Sequence, residues 1–358
     1  MEKKPAYLSI QALRAVAAVL VVVFHLRIVE GKFGVGEILL PSWLNLGYAG
    51  VDLFFVISGF VMATIAKGRY GSVSEAGRFL RKRAWRVLPP YWLYTTVVVV
   101  LMAFVPHMVN TSYQNQSVLA SYLLWPQPTL PLLTVGWTLV YEAYFYLVMA
   151  VAIAFLPERR LPIFLVAWAT IVAMGWAVFD TTSPVMYTVF SPMTGEFIAG
   201  AFVALYWRQM PTALGIPLLL AGTGSFLGAM LVLDHLQWLL DGGMYRVPIF
   251  GVASAMIVAG AVVSESSRQP TVPAWALSIG DSSYSLYLSH VFVISAMGRL
   301  WHMTPFNGEP WQHAGFVALT VLACVVVGLG SYRCFERPLL KFGEGWMKRY
   351  SMKTASAG

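Results

Sequence analysis

A membrane-length stretch near the amino terminus carries two ionisable side chains, and it limits this chain more than any other feature. Residues 8–26 read LSIQALRAVAAVLVVVFHL, almost wholly apolar yet holding Arg14 and His25. On an α-helix, positions eleven apart differ by about 1100° of rotation and ~16 Å of rise. The two side chains therefore share a face, one near each side of a bilayer. A charge inside hydrocarbon is costly unless it snorkels or pairs, so each is a candidate for function. Arg14 also lies near enough to the amino end for its stem to reach the headgroups. His25 equally suits an interfacial position with one satisfied hydrogen bond, and the span alone leaves both readings open.

Composition widens the constraint to the whole chain. With 58% apolar and 11% charged residues among 358 and a mean hydropathy of +0.68, an ordinary soluble fold is excluded. Windows of about 20 residues give spans near 8–26, 47–66, 88–106, 133–156, 162–180, 186–206, 212–233, 245–263, 275–298 and 314–332. The expected fold class is an all-α polytopic membrane protein of about ten transmembrane helices. Of the 24 Lys and Arg, Arg27, Lys32, Arg246 and Arg299 alone fall on outer segments, while Arg14 lies within a span. The positive-inside rule thus puts both termini in the cytoplasm. Basic inner loops account for the pI of 9.4, so nucleic acid is not an expected partner, whereas membrane lipids are. The first span lacks a small-residue cleavage site and reads as retained. Cys324 and Cys334 offer neither a disulfide framework nor a metal-ligand spacing, and no metal is expected.

Further polar residues interrupt later spans. Asp52, in GYAGVDLFFVISGF, sits at the membrane level of His25 and suits either orienting that imidazole or capping its own helix. The inner loop ends RFLRKRAWRVLPPYW, where Arg78, Arg81, Arg83 and Arg86 are interleaved with Trp85 and Tyr91. Guanidinium forks match phosphate oxygens and the aromatics offer a surface for a base, although a polybasic loop also suits anionic lipid. Pro89 and Pro90 are expected to bend or restart the helix there. Glu142, in GWTLVYEAYFY, must pair, be protonated or face a wet cavity. Glu196 suits a second cavity carboxylate or a packing partner. His235 is assigned no role. Tyr284, Tyr287 and His290 form a polar stripe at i, i+3 and i+6. Trp301 and Trp311, in the following outer loop, are of the kind that stack on sugar rings. The segment after Arg333 reads as a basic amphipathic piece on the inner membrane surface.

Taken in order, Arg14 and His25, GVDLFFVISGF, the Arg-x-x-Arg leading into PPYW, WTLVYE, YSLYLSH and FERP resemble the membrane enzymes of acyltransferase family 3 over the whole chain. The short outer loop and lack of a fused hydrolase domain are similar to bacterial exopolysaccharide O-acetyltransferases. The resemblance implies a transmembrane acyltransferase domain over 1–340 with a basic cytoplasmic tail at 341–358. It also implies transfer of an acetyl group from cytosolic acetyl-CoA to a carbohydrate hydroxyl in the bacterial inner membrane. His25 and Arg14 match the family's essential pair, Arg83 with Arg86 its arginine motif, and Glu142 its carboxylate. On that reading His25, Arg14, Glu142 and Asp52 are catalytic. Arg78, Arg81, Arg83, Arg86 and Tyr91 bind acyl-CoA, while Tyr287, His290 and Trp301 bind the acceptor. Direct attack and an acyl-histidine intermediate both remain open. Without the resemblance, buried Arg, His, Asp and Glu equally suit a proton-coupled transporter or glycolipid exporter.

Overall fold

The computed structural model describes residues 7–105, 116–179, 182–235, 245–267 and 271–355, with side chains through 346. Lys3, Lys4, Arg268 and the last basic side chains, used above for orientation, lie outside that set. Among the described residues all regular secondary structure is helical. Helix α1 spans Leu8–Phe33. A 3-10 turn, Ser42–Ala49, runs directly into α2 at Gly50–Ala66. Then follow α3 Val73–Phe104, the short α4 Val118–Leu123, α5 Trp137–Phe155, α6 Leu161–Val178, the short α7 Pro184–Phe190, and α8 Thr194–Tyr206. The second half contains α9 Gly215–His235, α10 Val252–Ser267, α11 Ala274–Asp281, α12 Ser283–His302, α13 Pro310–Ser331 and α14 Arg337–Ala355.

Among the described residues, nine helical segments are long and apolar enough to cross a membrane. The tenth crossing of the sequence count falls on α12, whose Ser, Tyr and His residues lower its apolarity; it is sheltered between α1 and α13. A span screened by other helices can carry polar groups that lipid would not tolerate.

Helix α3 departs from expectation. It runs unbroken for 32 residues through Pro89 and Pro90, so the basic segment and the span behind it are one rod. Its start is fixed by Ser72, whose Oγ accepts from Glu75 N at 3.3 Å. Each proline removes its own donor, freeing the carbonyls of Trp85 and Arg86 one turn back. Beside them, the Tyr284 hydroxyl donates to Val87 O at 2.7 Å.

Helix α1 is pinned at both ends. Glu265 of α10 accepts from Leu8 N at 2.8 Å, Ser9 N at 3.1 Å and Ser9 Oγ at 2.5 Å, occupying donors that a helix start leaves orphaned. At the outer end, fully buried Glu30 accepts from Leu39 N and Leu40 N and meets His313 Nδ1 at 2.8 Å. Helices α2 and α8 approach closely because Gly59 faces the Phe197 backbone and Gly200 faces that of Val56; a Cβ at either would overlap it. Across this contact Phe55, Phe197, Phe145 and Trp168 stack in series at centroid distances of 4.4, 4.6 and 5.8 Å. This aromatic column ties α2, α8, α5 and α6 together.

Candidate active site

Helices α1, α2, α3, α5 and α12 line a cavity of about 310 Å³. Its inner end is cationic. Arg83 and Arg86 of α3 enter from one side and Arg14 of α1 from the other, with Tyr7 and Gln11 beside them. Arg14 Nη1 donates to Gln11 Oε1 at 3.2 Å, and Arg83 Nε is buried with no hydrogen-bond partner among the described residues. Midway stands Glu142, whose Oε1 accepts from Ser58 Oγ at 3.0 Å and from the Tyr146 hydroxyl. Three guanidinium groups against one carboxylate leave the cavity positive, which favours an anionic ligand. The far end is capped by Phe54, Thr138 and Tyr287, the Tyr287 hydroxyl lying 2.9 Å from both Thr138 Oγ1 and Val135 O.

One helical turn beyond Tyr287 lies a histidine pair. His290 Nε2 is 3.2 Å from His25 Nδ1, the rings 4.9 Å apart and inclined by 61°. Tyr287 and His290 are themselves in ring contact at 5.9 Å. The structure therefore brings Arg14, Arg83, Arg86, Glu142 and Tyr287 into one cavity and sets His25 and His290 together just past its end.

Other residues singled out from the sequence lie elsewhere. Asp52 does not face His25. Its carboxylate is bidentate to Arg246, with Nε at 2.8 and 2.9 Å and Nη2 at 2.6 Å, while the Arg246 guanidinium sits 4.5 Å from the Tyr48 ring centroid. A π-helical turn, Val247–Gly251, precedes α10 and lets Arg246 reach α2. A buried carboxylate paired with a full cation is far better compensated than one beside a neutral imidazole. Tyr91 is fully buried, and its hydroxyl donates to Ser121 O at 2.7 Å. Trp85 donates to Leu339 O at 2.9 Å and stacks on Trp346 of α14. Neither ring is open to a base. Arg78 pairs with Glu75, and neither it nor the exposed Arg81 lines the cavity. Trp301 lies flat on Phe316 at 4.0 Å and donates to Phe306 O at 2.5 Å, so its faces are occupied. Glu196 packs against Gly251 rather than in the cavity.

Ser58, Tyr146, Gln11 and Thr138 complete the site and were not singled out from the sequence. In a single span, a hydroxyl or an amide looks the same whether it lines a cavity or bonds its own backbone.

Residues 7–329 match an acyltransferase domain, that of acyltransferase family 3. The exopolysaccharide production protein ExoZ of Rhizobium meliloti is 33% identical over 319 residues, covering 84% of this chain and 92% of that protein. The O-acetyltransferase OatA of Staphylococcus aureus is 25% identical over 387 residues, covering 95% of this chain but 58% of the longer relative. No solved structure matches. The match begins at the last residue before α1, ends within α13 and takes in every side chain that lines the cavity. The chain therefore belongs to acyltransferase family 3 and is a polytopic membrane acyltransferase.

Proposed function

We propose that this enzyme transfers an acetyl group from cytosolic acetyl-CoA to a hydroxyl of a surface polysaccharide, or of its lipid-linked precursor, in the bacterial inner membrane. The observation that carries the reading is the polarity of the cavity, cationic at its inner end and closing beside two histidines. Arg83, Arg86 and Arg14 hold the phosphates of the donor, as guanidinium groups do. The thioester arm extends past Glu142 toward Tyr287. His25 acts as general base: its imidazole takes the proton of the sugar hydroxyl as that oxygen attacks the thioester carbonyl. The carbon–sulfur bond breaks and the thiolate leaves with the proton that His25 took up, regenerating the free imidazole. Glu142, held by Ser58 and Tyr146, lines the same cavity as the arginines. The relatives' names, which speak of exopolysaccharide production and O-acetyl transfer, support the acceptor class.

Thiol release from acetyl-CoA by purified protein, with and without a lipid-linked oligosaccharide fraction, tests the reading. Release that depends on the acceptor and disappears in His25→Ala is the expected result. Failure to bind acetyl-CoA at all would reduce the arginines to a topology signal and return the transporter reading.

A further inference from the structure

The hydrogen bonds around the two histidines assign their protons. A backbone carbonyl only accepts, so the nitrogen facing one must carry hydrogen. His25 Nδ1 lies 2.9 Å from Val21 O, one turn back on α1. His290 Nδ1 lies 3.2 Å from Leu286 O, one turn back on α12. Both rings are thereby Nδ1–H tautomers. His290 Nε2 is left as a bare lone pair, and it is this atom that stands 3.2 Å from His25 Nδ1. The His25 N–H is thus shared between its own helix and the second imidazole. Its Nε2 has no protein partner among the described residues, and the ring is not fully buried. Among those residues neither imidazole pairs with a carboxylate, and Asp52 is taken by Arg246.

We propose that His290 is a positioning residue: by accepting from the same His25 Nδ1–H that meets Val21 O, it holds the His25 ring in the orientation that presents Nε2 as the base. It does for His25 what a carboxylate does in other histidine-based sites, but as a neutral acceptor. A neutral partner suits a position inside hydrocarbon, where a second ionised group would be costly. When Nε2 takes the hydroxyl proton, the charge spreads to Nδ1–H, whose donation to His290 strengthens. The proton then leaves from Nε2 to the thiolate, and His290 neither gains nor loses one. This puts His290 behind His25 rather than against the acceptor sugar. The inference rests on the acyl-transfer reading above.

The experiment compares wild type, His290→Ala and His290→Gln. The glutamine Oε1 reaches roughly where the imidazole Nε2 stood and also accepts. Solid-state NMR of histidine-labelled protein in lipid vesicles distinguishes Nδ1–H from Nε2–H rings, with His25→Ala and His290→Ala assigning the signals among six histidines. The expected spectra show a His25 Nδ1–H in all three proteins, with the signal shifted toward weaker hydrogen bonding in the alanine variant, where Val21 O is left as its acceptor. In the thiol-release assay, His290→Ala is expected to lower kcat by about 10²-fold, the scale of general-base catalysis, with the KM of donor and acceptor unchanged. His290→Gln is expected to recover most of that loss. A wild-type His25 in the Nε2–H form overturns the proposal, as do equal losses in the two variants or a raised acceptor KM at unchanged kcat. The spectra need no substrate, so a protein that binds acetyl-CoA yet never transfers would instead overturn the acyl-transfer reading.

Discussion

Replacing Asp52 with asparagine leaves the Arg246 guanidinium without its counter-ion in a site almost closed to water. The Asp52 side chain is fully buried and that of Arg246 is 11% exposed, with three N–O contacts of 2.6–2.9 Å joining them. Removing one partner of such a pair costs about 3–5 kcal/mol, because the remaining charge has already been stripped of solvent. At about 2.1 cal/mol/K of unfolding entropy per residue, a chain of 358 residues should lose roughly 4–7 °C in thermal midpoint. Arg246→Met should cost a similar amount by orphaning the carboxylate. The two together remove both charges, and the double variant should recover most of the loss, since apolar replacement of a buried pair is often near neutral. Glu196 makes the reasoning sharper. Its carboxyl lies close enough to act on both members and has no hydrogen-bond donor of its own among the described residues. With Asp52 gone it is the carboxyl left beside Arg246, so Asp52→Asn with Glu196→Gln should fall further than Asp52→Asn alone. Differential scanning fluorimetry in detergent reads all five proteins. Midpoints that simply add in the Asp52/Arg246 double variant would refute the coupling.

Arg83→Gln should raise the KM for acetyl-CoA by about 10- to 100-fold, the value of a charge-assisted hydrogen bond of 1.5–3 kcal/mol, while Arg78→Gln, whose partner is Glu75, should leave it unchanged; steady-state kinetics separates the two. Tyr91→Phe should cost about 1 kcal/mol of stability through the lost bond to Ser121 O, with no change in donor affinity. Isothermal titration with a non-hydrolysable acetyl-CoA analogue checks that second half. Gly200→Leu should prevent the α2–α8 contact and yield protein that fails to survive detergent extraction, whereas Gly224→Leu, which faces open space, should extract normally.

The sequence made visible whatever a single helix can state about itself. Arg14 and His25 were placed on one face by spacing alone, and Glu142 stood out as a carboxylate in an apolar run. What it withheld was which helices meet. His25 and His290 lie 265 positions apart, Asp52 and Arg246 lie 194 apart, and nothing in either local pattern names the partner. Membrane level alone offers Asp52 either the histidine or its own helix start, and Arg246 reads as one more outer cation. Trp85 and Tyr91 misled for a related reason. An aromatic ring beside arginines reads as a ligand surface until α14 is seen stacked on one and Ser121 bonded to the other. The prolines of α3 look like a break because their cost is local, whereas the packing that offsets it is not.

The tethers at the two ends of α1 turn that helix into a gauge. Glu265 fixes one end and the Glu30–His313 pair the other, so the helix has little freedom to slide or wind between them. The interval from the arginine to the histidine is then a length built into the backbone, and no side-chain substitution along it can alter that length. A single residue inserted between Arg14 and His25 would advance the imidazole by 1.5 Å and swing it through about 100°, away from both the cavity and His290. What the two tethers hold constant is thus the count of residues between the arginine and the histidine.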